Sequence, residues 1–207
     1  MASSYDNNAR EYDLWFEENP GAYRSELEAV KRLLPSFENS VEIGVGTGRF
    51  AGPLGISVGL EPSPAMAEIA RERGVLVIRG VAENLPLHDH SFDLVLTVTT
   101  LSFFRDVPKA FSEIYRILKP GGHLIIGLLD RETPLGKVYE SKKHKSPFYK
   151  DARFLSTDEA LTHLTNSGFG DFEIIQTIFH PDDMKEGSVS KPGYGEGLFV
   201  VIKGNRR

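Results

Sequence analysis

The 207-residue sequence contains no cysteine. This absence excludes disulfide bridges, a cysteine nucleophile and any metal site built on thiolates. A chain of this length can bury a self-sufficient core without covalent links, and it fits one domain better than two. Because a cysteine-free composition agrees with a reducing compartment, we expect a cytoplasmic protein.

Long apolar runs and an excess of positive charge are also missing. The longest apolar runs, such as residues 124–129 (LIIGLL), are far too short to span a bilayer, and the polar residues 1–13 lack the pattern of a secretion signal. The formal net charge of −5 gives no overall attraction to nucleic acid. We therefore expect neither a membrane nor a nucleic-acid partner.

Short apolar segments rich in β-branched residues alternate with amphipathic stretches of helix length. This alternation predicts an α/β domain with six or seven strands in a mainly parallel sheet covered by helices. Residues 92–98 (FDLVLTV) and 123–129 (HLIIGLL) are the most apolar segments and are expected in the middle of the sheet. The predicted strands are Ser40–Ile43, Ser57–Glu61, Leu76–Arg79, Phe92–Thr99, His123–Leu129, Phe172–Phe179 and Leu198–Lys203.

Proline and glycine positions, together with capping residues, mark the predicted helices. These helices are Gly21–Leu34, a helix that begins near Pro64 and ends before Gly74, Val107–Leu118 and Thr157–Ser167. Within a single domain of residues 1–207, we expect residues 1–38 to form a helical lead that covers the site. Residues 131–170 are expected to cap the substrate side, and residues 180–197 form a long loop of the kind that is usually functional or mobile.

Three glycines at positions 44, 46 and 48 directly follow the first predicted strand. Glycine allows a sharp turn there and lets a ligand approach the backbone without a Cβ in the way. Gly46, Gly48 and Ala51 also satisfy the G-x-G-x-x-G/A fingerprint of dinucleotide-binding domains, and a tight turn without any ligand is a third interpretation. The loop alone therefore leaves the ligand open.

Two acidic residues refine the prediction. Glu42 lies two positions before the first glycine, inside the end of a strand, where a buried carboxylate favours a ligand that carries an amino group. Glu61 closes the second strand, where its two oxygens can accept both hydroxyl protons of a ribose. The pair predicts a nucleoside ligand with an amino group.

Several ordered motifs resemble those of the class I S-adenosylmethionine-dependent methyltransferases of the small-molecule group. They are residues 42–48 (EIGVGTG), 61–66 (EPSPAM), 82–86 (AENLP), 91–93 (SFD), 116–122 (RILKPGG) and 12–16 (YDLWF). The resemblance runs from about residue 5 to the last strand. It implies a Rossmann-like, seven-stranded, mostly parallel sheet with helices on both faces and a C-terminal antiparallel hairpin.

The resemblance also implies S-adenosyl-L-methionine as the cofactor and a role for each matching residue. The glycines would pass under the methionine moiety, Glu42 would lie near its ammonium group and Glu61 would hold the ribose. Met66 would pack on the adenine face, with ordinary core packing as the alternative. The cofactor-binding residues implied are Glu42, Gly44, Gly46, Gly48, Glu61, Pro62, Met66, Ala82, Glu83, Thr99 and Thr100.

One position departs from the family pattern. Many relatives have an aspartate immediately before the alanine of the third motif, where it accepts a hydrogen bond from the adenine amino group, but this chain has Val81. Either Glu83 or a backbone carbonyl replaces that acceptor, or adenine is held more weakly.

The acceptor is predicted to be a small molecule bound outside the carboxyl ends of the strands. Candidate residues for its pocket are Tyr12, Trp15, Ser102, Phe103 and Tyr149. Relatives often have a histidine at the position of Ser102, so this chain lacks a histidine base there, and no other general base is named. The spacing of the histidines in this sequence predicts no metal site.

Two alternatives stay open. An NAD(P)-dependent oxidoreductase would use the same glycines and Glu61, although Glu42 would then face a pyrophosphate of like charge. A non-catalytic S-adenosylmethionine-binding protein would share the cofactor site without turnover.

Overall fold

The structure, a computed structural model, describes residues 4–207. The first five strands are parallel and lie in the order β3, β2, β1, β4, β5, and the sheet continues with β8, β6 and β7. Strand β8 runs antiparallel to both β5 and β6, and β7 runs antiparallel to β6. The strands are β1 Ser40–Ile43, β2 Val58–Leu60, β3 Leu76–Ile78, β4 Phe92–Val98, β5 Leu118–Leu129, β6 Phe169–Thr177, β7 Lys191–Pro192 and β8 Phe199–Arg206.

This arrangement confirms the predicted Rossmann-like α/β fold with its antiparallel C-terminal strands. The structure adds an eighth strand, the two-residue β7, inside the segment that the sequence predicts as a long loop. Strand β5 begins at Leu118, five residues before the predicted start, because the chain turns through Gly121 at a φ of +74° while it remains beside β4.

Helices cover both faces of the sheet. They are α1 Ser4–Glu18, α2 Pro20–Leu33, α3 Ala51–Leu54, α4 Pro64–Glu72, α5 Val107–Ile117, α6 Pro134–Lys142, α7 Thr157–Asn166 and α8 Asp183–Glu186. One apolar cluster joins helices α2, α3 and α4 to the sheet, and a second joins α5 and α7 to its other face. The predicted cap of α7 is present as a reciprocal capping box between Ser156 and Glu159.

The helix boundaries predicted from sequence leave out α1, α3, α6 and α8, and of these α1 lines the site most extensively. Helix α1 belongs to the helical lead predicted for residues 1–38, of which residues 1–3 lie outside the described part of the chain. The helix has non-helical backbone angles at Asn8 and runs past the carboxyl ends of β1 and β4. The strand order reverses between β1 and β4, and in open α/β sheets ligands bind at such a point.

Candidate active site

The glycine loop brings bare backbone to the end of β1. The amides of Gly44 and Val45 both donate to the carbonyl oxygen of Leu60, at 2.8 and 3.0 Å, which anchors the loop to β2. Gly46 has a φ of +54°, and a Cβ there would face open space, with the Tyr12 ring 4.0 Å away. Gly44 has a φ of +73°, and a Cβ there would lie 2.2 Å from Cγ2 of Thr100. Glycine is therefore required at position 44 by crowding and suits position 46 beside a cavity.

A cavity of about 720 Å³, which we call the main cavity, opens beside this loop. The walls come from the glycine loop, the ends of β1, β2 and β4, helix α1 and the turn after β4. Of the residues predicted to bind the cofactor, the main cavity is lined by Glu42, Gly44, Gly46, Glu61, Pro62, Met66, Thr99 and Thr100.

Glu42 is the most deeply buried charge in the main cavity, with 1% of its surface exposed. Its Oε2 atom has no hydrogen-bond partner among the described residues. Burial raises the pKa of Glu42 well above its usual value, although an interaction with the Ala51 amide opposes the shift. Since an unpaired buried carboxyl is costly, the orphaned oxygen fits a ligand that brings an ammonium group into the cavity.

Glu61 forms the opposite wall and is already partly engaged. Its Oε2 atom accepts from the Gly46 amide at 3.0 Å, and Oε1 accepts from the Ser63 amide at 2.8 Å. Burial raises the pKa of Glu61, and these two amides partly offset that effect. A carboxylate has about four acceptor positions, so each oxygen retains one for a hydroxyl group.

A wider groove continues from the main cavity along the ends of β2 and β3. Ala82, Glu83 and Ser102 line this outer groove, while Gly48 lies behind the loop against Ala70. The expectation that Glu83 replaces the missing aspartate meets an obstacle, because its Oε1 atom accepts from the Arg105 amide at 2.6 Å. The carboxylate is therefore held against the chain before α5, and Val81 is 45% exposed beside it.

Helix α1 is fastened over the main cavity by ion pairs that sequence reasoning missed. Asp13 contacts Arg49 at 2.7 Å, directly after the glycine loop, and Arg73 at 2.8 Å at the end of α4. Burial opposes ionisation of Asp13, but hydrogen bonds from both arginines outweigh it and lower its pKa to about 2. The hydroxyl of Tyr5 also donates to the carbonyl oxygen of Phe148 at 3.1 Å. Helix α1 thus connects the glycine loop, α4 and the segment after α6.

A second, smaller cavity lies next to the main cavity, and we call it the inner chamber. The two share Tyr12, Phe16, Thr99 and Tyr149 in their walls. The remaining walls of the inner chamber are Trp15, Glu26, Leu129, Tyr139, Met184 and Leu198. Of the predicted acceptor residues, Tyr12, Trp15 and Tyr149 therefore meet here, Phe103 lines the main cavity and outer groove, and Ser102 lines only the groove.

Thr99 stands between the two cavities in an unusual conformation. Its φ is +53°, which is rare for a β-branched residue, and its amide donates to the Gly127 carbonyl oxygen at 2.8 Å. Such strain concentrates at functional sites. The hydroxyl of Thr100 donates to the Gly44 carbonyl oxygen at 3.1 Å, so the turn after β4 is tied to the glycine loop.

Glu26 is the site residue that sequence reasoning missed most completely. It lies on the buried side of α2 with Ala22, Ala29, Val30 and Leu33. A charged residue within such an apolar stripe is a signal that could have identified it.

Within residues 4–207, no group of three histidine, aspartate or glutamate side chains is arranged to hold a metal ion. The helices in the same range include none with the length and apolar character needed to cross a membrane.

Comparisons with known proteins identify the family. Residues 41–126 match the methyltransferase domain family. An uncharacterised protein of Methanocaldococcus jannaschii is 48% identical over 202 residues, which cover 98% of both chains. The crystal structure of an S-adenosylmethionine-dependent methyltransferase of Thermotoga maritima, described as a possible histamine N-methyltransferase, is 54% identical and has a TM-score of 0.95 over 99% of both chains.

A more distant solved structure contains the cofactor. Phosphoethanolamine N-methyltransferase 2 of Haemonchus contortus, in complex with S-adenosyl-L-methionine, is 26% identical with a TM-score of 0.64. The match covers 82% of this chain and 43% of that one. The similarities decide between the predicted cofactors in favour of S-adenosyl-L-methionine, so the oxidoreductase alternative is wrong. The chain belongs to the class I S-adenosylmethionine-dependent methyltransferases.

Proposed function

We propose that this chain transfers a methyl group from S-adenosylmethionine to a small-molecule acceptor by in-line displacement. The observation that carries the proposal is the pair of buried carboxyls, Glu42 and Glu61, on either side of the glycine loop in one cavity. The bound cofactor would supply a methyl group already activated by its sulfonium. The protein's residues then have to bind, orient and exclude water.

Glu42 would receive the cofactor's ammonium group on its unpaired oxygen, and Glu61 would accept the ribose hydroxyls. Gly44 and Gly46 present backbone to the methionine moiety, with Gly48 completing the loop. Met66, 2% exposed, and Pro62 would contact the nucleoside. Ala82 and Glu83 in the outer groove would border adenine.

Thr99 and Thr100 would border the reacting groups, because the turn that carries them separates the main cavity from the inner chamber. Aligning two reactants in this way can contribute about 7–11 kcal/mol to lowering a barrier. Helix α1 and Tyr149 cover the site, which favours an acceptor small enough to be enclosed. The names of the Thermotoga and Haemonchus relatives refer to N-methylation, which favours nitrogen as the methylated atom.

Calorimetric titration with two ligands tests the cofactor assignments separately. S-adenosylhomocysteine has both the amino-acid and nucleoside parts, whereas methylthioadenosine lacks the amino-acid part and with it the α-ammonium group. Glu42→Gln should weaken the binding of S-adenosylhomocysteine by about 10- to 150-fold and leave that of methylthioadenosine unchanged, since a hydrogen bond to a charged group contributes roughly 1.5–3 kcal/mol. Glu61→Gln should weaken both ligands, because both contain the ribose.

Asp171→Asn is the matched control, since its exposed side chain pairs only with Arg207 and asparagine suits its φ of +53°. Equal losses for both ligands in Glu42→Gln, or unchanged binding in Glu61→Gln, would overturn the respective assignment. A mass-spectrometric screen for methylated products over acceptor classes then tests turnover.

A further inference from the structure

The inner chamber contains a carboxyl group without a partner. Glu26 is 4% exposed, and burial alone raises its pKa from 4.5 to about 8. No hydrogen bond or ion pair to its carboxyl group is present within residues 4–207. Because a buried carboxyl without a partner is costly, its presence beside an open chamber points to a ligand that completes it.

Half of the residues that line the chamber around this carboxyl are aromatic. Trp15 and Phe16 come from α1, with ring centroids 5.2 Å apart, and Tyr139 lies 6.4 Å from Tyr149 across the chamber. No lysine, arginine or histidine of the described chain lines the chamber. Aromatic faces attract cations, most strongly where the cation is desolvated. The chamber thus combines one acidic group with several aromatic faces.

The titratable groups that face Glu26 do not compensate it. They are Tyr12 from α1, Tyr139 from α6 and Tyr149, and burial raises the pKa of each, in Tyr139 to about 12. Two of the charged groups of α8, which also packs against α2, are engaged elsewhere. Asp183 accepts from the Phe179 amide at 2.7 Å, and Lys185 donates to the Glu18 carbonyl oxygen.

We propose that the inner chamber binds the methyl acceptor as an amine, with Glu26 holding its ammonium group and taking up its proton. This inference rests on the proposed function, since it uses the main cavity as the methyl-donor site. The chamber adjoins that cavity at Tyr12, Thr99 and Tyr149, which places a bound nitrogen beside the donor.

The proton balance is simple. An ammonium ion gives one proton to the Glu26 carboxylate, and the freed lone pair forms the N–C bond while the S–C bond of the donor breaks. The products are the methylated ammonium ion and S-adenosylhomocysteine, and Glu26 keeps its proton after the product leaves and releases it to water when the next ammonium ion binds. A carboxyl with its pKa near 8 is a better proton acceptor than one at 4.5.

The chain's one tryptophan supplies the measurement, because Trp15 lines the chamber. Protein saturated with S-adenosylhomocysteine is titrated with a series of primary amines from ethylamine to 2-phenylethylamine, and with the alcohol of the same skeleton in each case. We expect at least one amine to change Trp15 fluorescence with an affinity at least about tenfold above that of its alcohol. In Glu26→Gln this preference should disappear.

Calorimetry in buffers of different ionisation enthalpy adds a second readout. At pH 7 the empty carboxyl and the free ammonium ion together hold two protons, whereas the bound pair holds one, so binding should release about one proton. Glu26→Gln should release none. Glu28→Gln is the control, because it changes the same helix at an exposed glutamate paired with Lys31.

An amine preference with proton release, both lost only in Glu26→Gln, supports the proposal. Equal affinity for amine and alcohol, a preference that survives in Glu26→Gln, or failure of every amine to bind would overturn it. In each of these cases intact binding of S-adenosylhomocysteine leaves the proposed function standing, whereas loss of that binding in the wild-type protein would count against the proposed function itself.

Discussion

The pH dependence of stability tests the electrostatic description of Glu26 without any ligand. The pKa of this carboxyl is about 8 in the folded protein against 4.5 ordinarily. Between these values the folded state retains a proton that the unfolded chain has released. The free energy of unfolding should therefore fall as the pH rises from about 4.5 to 8, and this contribution should be constant outside that window.

The size of the effect follows from the two pKa values. For Glu26 alone, the free energy of unfolding should be about 4 kcal/mol lower at pH 8.5 than at pH 5. Natural domains are stable by only about 5–15 kcal/mol, so the change is large. The buried Glu42 and Glu61 also have raised pKa values and act in the same direction, which makes the wild-type dependence steeper.

The assay compares urea unfolding at pH 5 and pH 8.5, followed by the fluorescence of Trp15. Urea is uncharged and leaves the ionic strength unchanged. The free energy of unfolding differs between pH 5 and pH 8.5, and Glu26→Gln should make this difference about 4 kcal/mol smaller, since glutamine does not titrate. Glu28→Gln should leave it as in wild type. If Glu26→Gln and Glu28→Gln retain the same pH dependence, Glu26 is not the buried, unpaired carboxyl described above.

Two further variants test how the site is built. Asp13→Asn should lower the free energy of unfolding by about 2–3 kcal/mol and weaken the binding of S-adenosylhomocysteine, because it removes the ion pairs that hold α1 to two arginines. Glu17 is an exposed partner of Arg49, so Glu17→Gln should lower the free energy of unfolding by less than about 0.5 kcal/mol. Urea unfolding measures the stability change and calorimetry the change in ligand affinity, and equal losses in the two variants would contradict the role given to the ion pairs of Asp13. Gly44→Ala should cost more than Gly55→Ala in the same unfolding assay, because both have a φ of +73° but only position 44 is crowded. The second cost is backbone strain alone, about 1–2 kcal/mol, and equal costs would refute the clash.

The donor side of the site was predictable because its information is local. Glu42 and the glycines lie within one βα turn, and Glu61 closes the next strand, so their spacing alone places them together at one edge of a parallel sheet. The strands followed from β-branched apolar segments in the same way. Strand β7 and helix α8 were not predictable, since they are short elements whose partners lie in other parts of the chain.

The acceptor side was only partly predictable because its contacts join distant segments. The aromatic residues were candidates by type, but nothing in their spacing indicates that Tyr5 reaches Phe148, 143 residues away in sequence. Glu83 has a long-range contact that its place in the motif does not reveal. Its place beside the motif alanine suggested a role toward adenine, whereas tertiary structure directs one of its oxygens to the Arg105 amide.

The main cavity and the inner chamber are formed by different kinds of structural elements. The main cavity is built from consecutive strand ends, and its backbone turns are fixed by hydrogen bonds such as those from Gly44 and Val45 to Leu60. The inner chamber is lined by side chains from α1, α2, α6 and α8, by Tyr149, and by Leu129 and Leu198 at the sheet, so its walls come from segments far apart in the sequence. Thr99 is the backbone element common to both, held at a φ of +53° by its bond to Gly127. On the proposed assignment, a substitution at Glu26 would change which acceptor binds, while the backbone of the glycine loop and of Thr99 would keep the donor in the same position.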